Sequence, residues 1–396
     1  MKKVFAKIHL WLSIPLGIVL TVVCLSGATL VFESEITRAF NPRIYRVEAP
    51  AGAQPLAPSR LVARIGEQMP DSLHLVSLEL PARSDEPCMA VFRQTGRKQL
   101  SIDPYTGDVN GWAESPAFFS TMRKLHRWLL DPPAVKGEKS VGKVIVGIST
   151  LVLVLILVSG LVLWIPRSCK ALRNRLKVSV SNGRRRMWYD SHVSLGFYAI
   201  LPLLVMALTG LTWSFGWYRT AAYALFGGAQ TTVAVKEHPS QRDSSVDRKR
   251  HDGSDTRHGD RKSVERQTKN GTDTFNYAVW DEILAQLTAH YPVYKAITLT
   301  QTEAQVRRQA AMRRADRVTF DPQSGRLGEI NRYEDTPRQQ RLRGWFYAFH
   351  TGSWGGVWTK LLYFLAALIG ATLPLTGYYL WWKRTSGRAK TKKLRQ

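Results

Sequence analysis

Long apolar runs alternate with long polar stretches along the chain, and this alternation predicts its architecture. Each of four apolar runs is long enough to cross the ~30 Å hydrocarbon layer of a bilayer as a helix. The runs cover about Ile8–Phe32, Val141–Ile165, Val193–Trp217 and Val357–Trp382. Two long polar stretches follow the first and third runs. The pattern therefore predicts a membrane α-helical bundle of four transmembrane helices with two extramembrane regions.

The first and third runs share a spacing that predicts an internally duplicated chain. His9 precedes Gly27 by 18 positions, and His192 precedes Gly210 by the same 18. The second and fourth runs also end alike, because Gly160 and Gly377 each lie four positions before a tryptophan. We therefore expect the two halves to place equivalent residues at equivalent depths in the bilayer.

The polar stretches are also similar to each other, and each predicts a small α+β domain. In the first, a helical pattern precedes three strand patterns: Ser59–Gln68, Leu73–Leu80, Met89–Arg93 and Gln99–Ile102. In the second, a helical pattern precedes two strand patterns: Tyr277–His290, Tyr294–Thr300 and Arg317–Phe320. An Asp-Pro-x-x-Gly turn begins at Asp103 and again at Asp321. Proline presets φ and glycine accepts positive φ there, which is typical of a hairpin.

These features divide the chain into eight segments. They are helix 1 at 1–35, domain 1 at 36–116, an amphipathic segment with helix 2 at 117–166, a basic link at 167–191, helix 3 at 192–218, domain 2 at 219–340, an amphipathic segment with helix 4 at 341–383 and a basic tail at 384–396. Domain 2 contains an insert, 236–274, that is almost without apolar residues. Such a segment cannot offset its ordering entropy by burial, so we predict that it is disordered.

The distribution of charge predicts the orientation of the chain in the membrane. The net charge is +26, and much of it lies in the link and tail beside the apolar runs. Short, strongly basic segments stay in the cytoplasm, so we expect both termini inside and both domains in the periplasm, with the chain in a bacterial inner membrane. No aromatic-basic module accompanies the charge, which argues against a nucleic-acid partner. The three cysteines form no Cys-x-x-Cys pair, which argues against iron–sulfur, c-type haem and zinc-ribbon sites.

Four histidines are the candidate metal ligands. His9 and His192 begin runs that leave the cytoplasm, while His126 and His350 precede runs that return to it. Duplicated halves usually pack about a pseudo-twofold axis, which brings equivalent positions face to face. Two facing imidazoles can supply both axial ligands of haem iron, so we predict two haem b groups. His9 and His192 would hold the inner one, and His126 and His350 the outer one.

Glycines and arginines support this interpretation. We expect Gly160 and Gly377 beside the inner site and Gly27 and Gly210 beside the outer one, where each lets a flat macrocycle approach the helix backbone. Basic residues near the outer histidines are candidates for pairing with haem propionates: Arg123, Lys124, Arg127 and Arg343. The alternatives are that small residues in the runs serve helix packing and that boundary histidines have no ligand. No residue is assigned as catalytic, because no nucleophile–base motif or phosphate loop is present.

Several motifs of the chain resemble those of a known family. They are Lys7-Ile-His-Leu-Trp-Leu-Ser-Ile-Pro-Leu-Gly in the first run, Leu25-Ser-Gly, the Asp-Pro-x-x-Gly turns and the placement of the histidines. It is the PepSY-associated transmembrane helix family, also called iron-regulated membrane proteins, which includes siderophore-iron reductases of the FoxB type. The resemblance implies two periplasmic PepSY-like domains, haem b at His9, His126, His192 and His350, and reduction of ferric siderophores.

We therefore expect an oxidoreductase that carries electrons from a cytoplasmic flavoprotein or the quinol pool to periplasmic ferric siderophore and releases Fe(II). The alternative is a non-enzymatic PepSY membrane protein that binds siderophore, peptide or a protease as a transporter subunit or regulator.

Overall fold

A computed structural model describes residues 1–96, 98–135, 138, 140–228, 275–309 and 314–393, with side chains described to residue 386. The predicted disordered insert, 236–274, lies outside the described residues. The helices of this part of the chain are α1 (Lys2–Val31), α2 (Glu33–Phe40), α3 (Pro42–Tyr45), α4 (Pro58–Gln68), α5 (Ala117–Trp128), α6 (Val141–Trp164), α7 (Cys169–Arg175), α8 (Arg184–Ser214), α9 (Gly216–Leu225), α10 (Ala278–His290), α11 (Arg338–Thr351) and α12 (Gly356–Lys393).

Four of these helices, α1, α6, α8 and α12, are long and apolar enough to cross a membrane, which confirms the predicted spans. They form one bundle, in which α1 and α8 each pack against both α6 and α12. The bundle core contains Leu157, Ala199, Leu203 and Ala366. Large apolar side chains such as Ile18 and Leu201 are exposed on the outside, as expected for surfaces that contact lipid. The protein is therefore a multi-pass membrane protein.

The helix ends differ from the sequence expectation at the end of α12, which continues to Lys393 rather than stopping at Trp382, and at the start of α8. This helix begins at Arg184 rather than at Val193, because the basic residues of the link continue the helix before its apolar part starts. A helix boundary set by hydrogen bonding need not coincide with a boundary set by hydropathy. The link, the start of α1 and the end of α12 share one end of the bundle, which we call the basic end. The opposite end carries the strands and is called the sheet end.

All described strands belong to one antiparallel sheet. They are β1 (Leu75–Pro81), β2 (Cys88–Phe92), β3 (Gln99–Ile102), β4 (Val109–Ala113), β5 (Ala296–Leu299), β6 (Glu303–Arg307), β7 (Ala315–Phe320) and β8 (Leu327–Asn331). Their order is β4-β3-β2-β1-β5-β6-β7-β8, so two four-stranded meanders join where β1 pairs with β5. The two α+β regions predicted from the sequence therefore share one sheet and one core. Pairing the first strand of each meander removes two exposed edges.

Helices α4 and α10 cover one face of this sheet and close its core. Trp280 of α10 is fully buried, and its indole N–H donates to the carbonyl oxygen of Thr300 at 3.0 Å. The backbone N–H of Ser59 in α4 donates to the carboxylate of Asp281 at 2.8 Å, which ties the two helices together. The core extends across both meanders from Leu61 to Val318. The two halves of the extramembrane region thus form one body.

The Asp-Pro-x-x-Gly turns are confirmed as hairpins, joining β3 to β4 and β7 to β8. In the first, the carboxylate of Asp103 accepts the N–H of Tyr105 at 2.8 Å, and Gly107 has a φ of 77°. Gly325 occupies the equivalent place with a φ of 67°. Such a φ favours glycine because other residues place Cβ too close to the backbone. The strands after both turns, β4 and β8, were not predicted from the sequence.

Candidate functional site

His9 and His192 lie together at the basic end of the bundle. His9 belongs to α1 and His192 to α8, and their ring centres are 6.4 Å apart with ring planes at 89°. Neither helix has a second histidine in the bundle. We call these two residues the basic-end pair. The structure thus brings together one imidazole from each half of the chain.

His126 and His350 lie together at the sheet end. Their ring centres are 6.1 Å apart, and the ring planes are tilted by 53°. His126 belongs to α5 and His350 to α11, and neither of these is one of the four spanning helices. Helix α5 packs against α1, and α11 packs against α8. The indole of Trp213 stands edge-on to His350, with ring centres 5.3 Å apart. We call the two histidines the sheet-end pair.

Backbone carbonyl groups fix the tautomer of three of the four imidazoles. Nδ1 of His9 lies 3.1 Å from the carbonyl oxygen of Ile156, Nδ1 of His126 lies 2.8 Å from that of Val23, and Nδ1 of His350 lies 2.9 Å from that of Met206. Since a carbonyl oxygen only accepts, each Nδ1 carries the proton. Nε2 then has a free lone pair, which is the form that binds a metal.

Side-chain hydroxyl groups also accept hydrogen bonds from the imidazoles. Oγ1 of Thr376 lies 2.8 Å from Nδ1 of His192 and donates its own proton to the carbonyl oxygen of Leu373. Its oxygen is therefore an acceptor for the Nδ1–H of His192. Ser159 and Thr209 lie in the same way against His9 and His350, at 3.1 and 3.2 Å. All four Nδ1 atoms are thus held by acceptors, and all four Nε2 atoms remain available.

Each histidine packs against a glycine of a neighbouring spanning helix. A Cβ added to each glycine would lie close to Cε1 of the imidazole. The Cβ–Cε1 distances are 2.8 Å for Gly27 and His126, 3.0 Å for Gly210 and His350, 3.2 Å for Gly160 and His9, and 3.7 Å for Gly377 and His192. The glycines were expected to admit a macrocycle. In the structure they make room for the imidazoles themselves.

The residue before each of these glycines is serine or threonine. The four dipeptides are Ser26-Gly27, Ser159-Gly160, Thr209-Gly210 and Thr376-Gly377, and we call each a Ser/Thr–Gly cradle. In three cradles the hydroxyl contacts the histidine. In the fourth, Ser26 donates to the carbonyl oxygens of Val22 and Val23, and Val23 in turn accepts from His126. The sequence contains this repeat in full, but its hydrogen-bonding role depends on which helices pack together.

The separation of the two rings in each pair fits a shared metal. A metal–imidazole bond is about 2 Å long and the ring radius adds roughly 1 Å on each side, so two imidazoles on opposite sides of one metal have ring centres roughly 6 Å apart. The observed separations are 6.4 and 6.1 Å. Among the described residues, no three His, Cys, Asp or Glu side chains converge on one point. Each pair therefore offers two ligands, as an axially ligated haem requires.

The electrostatic state of the sheet-end pair also suits ligation. Burial lowers the pKa of His126, and burial, with a smaller contribution from His126, lowers the pKa of His350 to about 4. Both imidazoles are therefore neutral at pH 7, and their Nε2 lone pairs are not protonated. Neutral imidazole is the ligating species, because a metal and a proton compete for the same lone pair.

A cavity of about 810 Å³ opens beside the basic-end pair. Apolar side chains of all four spanning helices line most of it, including Leu20, Leu157 and Leu203. Its volume is in the range of sites that enclose ligands of drug or cofactor size. At the basic end its lining changes to polar and charged side chains: Arg175, Asn182, Arg185, Arg186 and Arg384. An amphiphilic ring system with acidic substituents would match this distribution.

Two of the basic residues predicted beside the outer histidines have other partners, and two, Lys124 and Arg343, are exposed. Arg123 forms an ion pair with Glu33, and the guanidinium of Arg127 lies 4.2 Å from the ring centre of Trp128. Arg343 is exposed on α11. The sequence interpretation missed the arginines that line the cavity, because charges next to an apolar run were attributed to membrane topology. No sequence signal separates the two roles, since the distinction depends on the packing of α6, α8 and α12.

Comparison with protein families shows which family the chain matches. The family described as PepSY-associated TM region matches residues 6–384, which includes all four histidines and all four cradles. A comparison with curated proteins finds no match.

Proposed function

The chain belongs to the PepSY-associated TM family, and from its two histidine pairs we propose that it is a haem b-containing reductase of the bacterial inner membrane. In this proposal the protein passes electrons from the cytoplasmic side to ferric siderophore in the periplasm and releases Fe(II). Both termini are then cytoplasmic and the sheet is periplasmic.

The observation that carries the proposal is the presence of one histidine pair at each end of the same bundle. Along α1, His9 belongs to the basic-end pair and Gly27 contacts the sheet-end pair. Eighteen residues of α-helix rise roughly 27 Å, which is close to the thickness of the hydrocarbon layer. Two metal sites separated in this way suit transfer of charge across a membrane.

The chain's own residues provide the binding and the electrostatics. Each pair would hold one haem b, which when bound supplies reversible one-electron chemistry. The cradles and the nearby carbonyl groups hold Nδ1 of each imidazole and leave its Nε2 available as a ligand. With two imidazoles of the chain as its ligands, a haem at either pair would supply electron transfer.

The substrate class comes from the resemblance to siderophore-iron reductases. Siderophores bind Fe(III) through hard oxygen donors, and these suit the larger, softer Fe(II) less well. Reduction therefore weakens the complex and frees the iron. The donor on the cytoplasmic side would be a flavoprotein or the quinol pool.

The test is vectorial reduction of iron in proteoliposomes. A reductant is enclosed inside, and ferric siderophore with the Fe(II) chelator ferrozine is added outside. We expect the coloured Fe(II) complex to form outside at a rate proportional to the protein content. His350→Ala should abolish it, and His74→Ala, which alters an exposed histidine of the sheet body, should leave it unchanged. Haem-loaded protein that binds siderophores without reducing any of them would instead support a non-enzymatic binding role.

A further inference from the structure

The basic end of the cavity presents an unusual set of donors. We call this part of the lining the cavity mouth; it consists of Trp164, Arg175, Arg185, Arg186 and Arg384. Among the residues that the structure describes, no carboxylate lines the cavity. A cluster of cations facing a largely apolar space indicates a ligand with an apolar body and anionic groups at one end.

Two of the four arginines are already engaged. Arg175 donates to the carbonyl oxygens of Leu163 and Trp164 at the end of α6, and Arg186 forms an ion pair with Asp190 at 2.9 Å. Among the described residues, Arg185 and Arg384 have neither an ion pair nor a hydrogen bond. Both remain free to bind an anion, and the planar guanidinium fork matches a carboxylate.

Trp164 adds an independent observation. Its indole Nε1–H is buried and has no hydrogen-bond partner in the described part of the chain. The ring is held in place by Phe197, which stacks on it with ring centres 3.6 Å apart. Trp164 lies one helical turn after Gly160, the glycine that contacts His9. Buried N–H groups are rarely left unpaired, so this donor lacks an acceptor that a bound ligand could supply.

We propose that the cavity mouth binds the two carboxylates of a haem held by the basic-end pair. Arg185 and Arg384 each pair with one propionate, and the indole N–H of Trp164 donates to one of them. This inference rests on the proposed function, because it requires a haem at His9 and His192. It also distinguishes the two ends of the bundle, since at the sheet end Arg123 is already paired with Glu33.

The consequence is a shift in reduction potential. A haem gains one negative charge on reduction, and a nearby cation stabilises that charge. Removing the cation of Arg185 or Arg384 should therefore lower the midpoint potential of the basic-end haem and leave that of the sheet-end haem unchanged. The Trp164→Phe variant keeps the ring but loses the N–H, and should lower the same potential by less than either arginine variant.

The experiment is a spectroelectrochemical titration of the full chain in phosphatidylcholine nanodiscs. His9→Ala identifies the basic-end component by its disappearance. Arg185→Gln and Arg384→Gln are then compared with Arg184→Gln and Lys383→Gln, which remove neighbouring cations that do not line the cavity. We expect only the first two to lower the basic-end potential. Loss of the basic-end component alone, with the sheet-end component intact, would support the same role and would show that the variant is folded.

Three outcomes would overturn the inference. If all four variants shift the potential equally, general surface charge explains the effect. If two haem components are present and neither arginine variant shifts one, the mouth does not bind the carboxylates although the proposed function stands. If the shift occurs only when phosphatidylglycerol is added, the arginines bind lipid headgroups. Protein that folds without haem would contradict the proposed function itself.

Discussion

The ring centres of His9 and His192 lie 6.4 Å apart, although the two residues come from different spanning helices and from different halves of the chain. His126 and His350 repeat this relationship at 6.1 Å. In both pairs the Nδ1 atoms are held by acceptors of a neighbouring helix. The pairs thus depend on the packing of the whole bundle, and each should respond to substitution separately.

Substitution of one histidine should remove one haem and leave the other. We expect His9→Ala and His350→Ala each to lose about half of the haem of the wild-type protein, because one imidazole binds far more weakly than two on a shared iron. The pyridine haemochrome absorbance per chain measures this. His74→Ala, in the sheet body, should retain the full amount. A wild-type haem content in His9→Ala would exclude His9 as a ligand.

Alanine at the four cradle glycines should have graded effects. A Cβ at Gly27 would lie 2.8 Å from the imidazole of His126, whereas one at Gly377 would lie 3.7 Å from that of His192, which is ordinary van der Waals contact. Gly27→Ala should therefore displace its histidine and reduce sheet-end haem. Gly377→Ala should retain haem and stabilise its helix by up to ~1 kcal/mol.

Haem content and thermal stability of the two variants check this order. Gly66→Ala, at a helical glycine with no other atoms near its added Cβ, is the matched control and should retain both haems. Equal haem loss in Gly27→Ala and Gly377→Ala would contradict the packing described here.

The threonine of a cradle should tune the potential without being a ligand. Oγ1 of Thr376 accepts from Nδ1 of His192 at 2.8 Å, and such a bond increases the basicity of the ligand and favours Fe(III). Thr376→Val should raise the basic-end potential. A net hydrogen-bond energy of roughly 1 kcal/mol corresponds to a shift on the order of 40 mV for a one-electron couple.

Redox titration of Thr376→Val against Thr372→Val tests this expectation. Thr372 is an exposed threonine of the same helix that donates to the carbonyl oxygen of Ile369 and, among the described residues, has no hydrogen bond to a histidine. If both variants shift the potential by the same amount, the hydrogen bond to His192 is not the cause.

Cysteine labelling should report the orientation of the chain. Cys169 is exposed at the start of α7, whereas burial raises the pKa of the Cys88 thiol in β2 to about 12. The thiolate is the reactive species, so Cys88 should stay unlabelled at pH 8 until the sheet unfolds. We expect a membrane-impermeant maleimide to label Cys169 in inside-out vesicles but not in spheroplasts. A cysteine introduced as Gln323→Cys, at an exposed hairpin, should show the reverse; labelling of Cys169 in spheroplasts would invert the topology.

The spans and the membership of each histidine pair could be predicted from the sequence because both depend on local or periodic signals. Apolar run length identifies α1, and the equal spacing of His9 to Gly27 and of His192 to Gly210 places equivalent residues at equivalent depths. The pairing of β1 with β5 could not be predicted, since the strands are more than 200 residues apart and pair only through tertiary contact.

Other features were missed for identifiable reasons. Strand β6, Glu303–Arg307, is a short polar run that becomes a strand because β5 and β7 pair on either side of it. Arg185 and Arg384 have the same sequence context as neighbouring cations, and only the arrangement of the helices directs them to the cavity. The expected propionate partners Arg123 and Arg127 were chosen for proximity to His126 in sequence, which does not account for the competing carboxylate of Glu33.

The most direct measurement is the number and spin state of the haems in the purified wild-type chain. Pyridine haemochrome titration against protein concentration should give two haem b per chain, and electron paramagnetic resonance of the oxidised protein should show low-spin, six-coordinate iron at both. Folded protein without haem, or with high-spin iron that has an open axial position, would contradict the pairing of His9 with His192 and of His126 with His350 on shared metals.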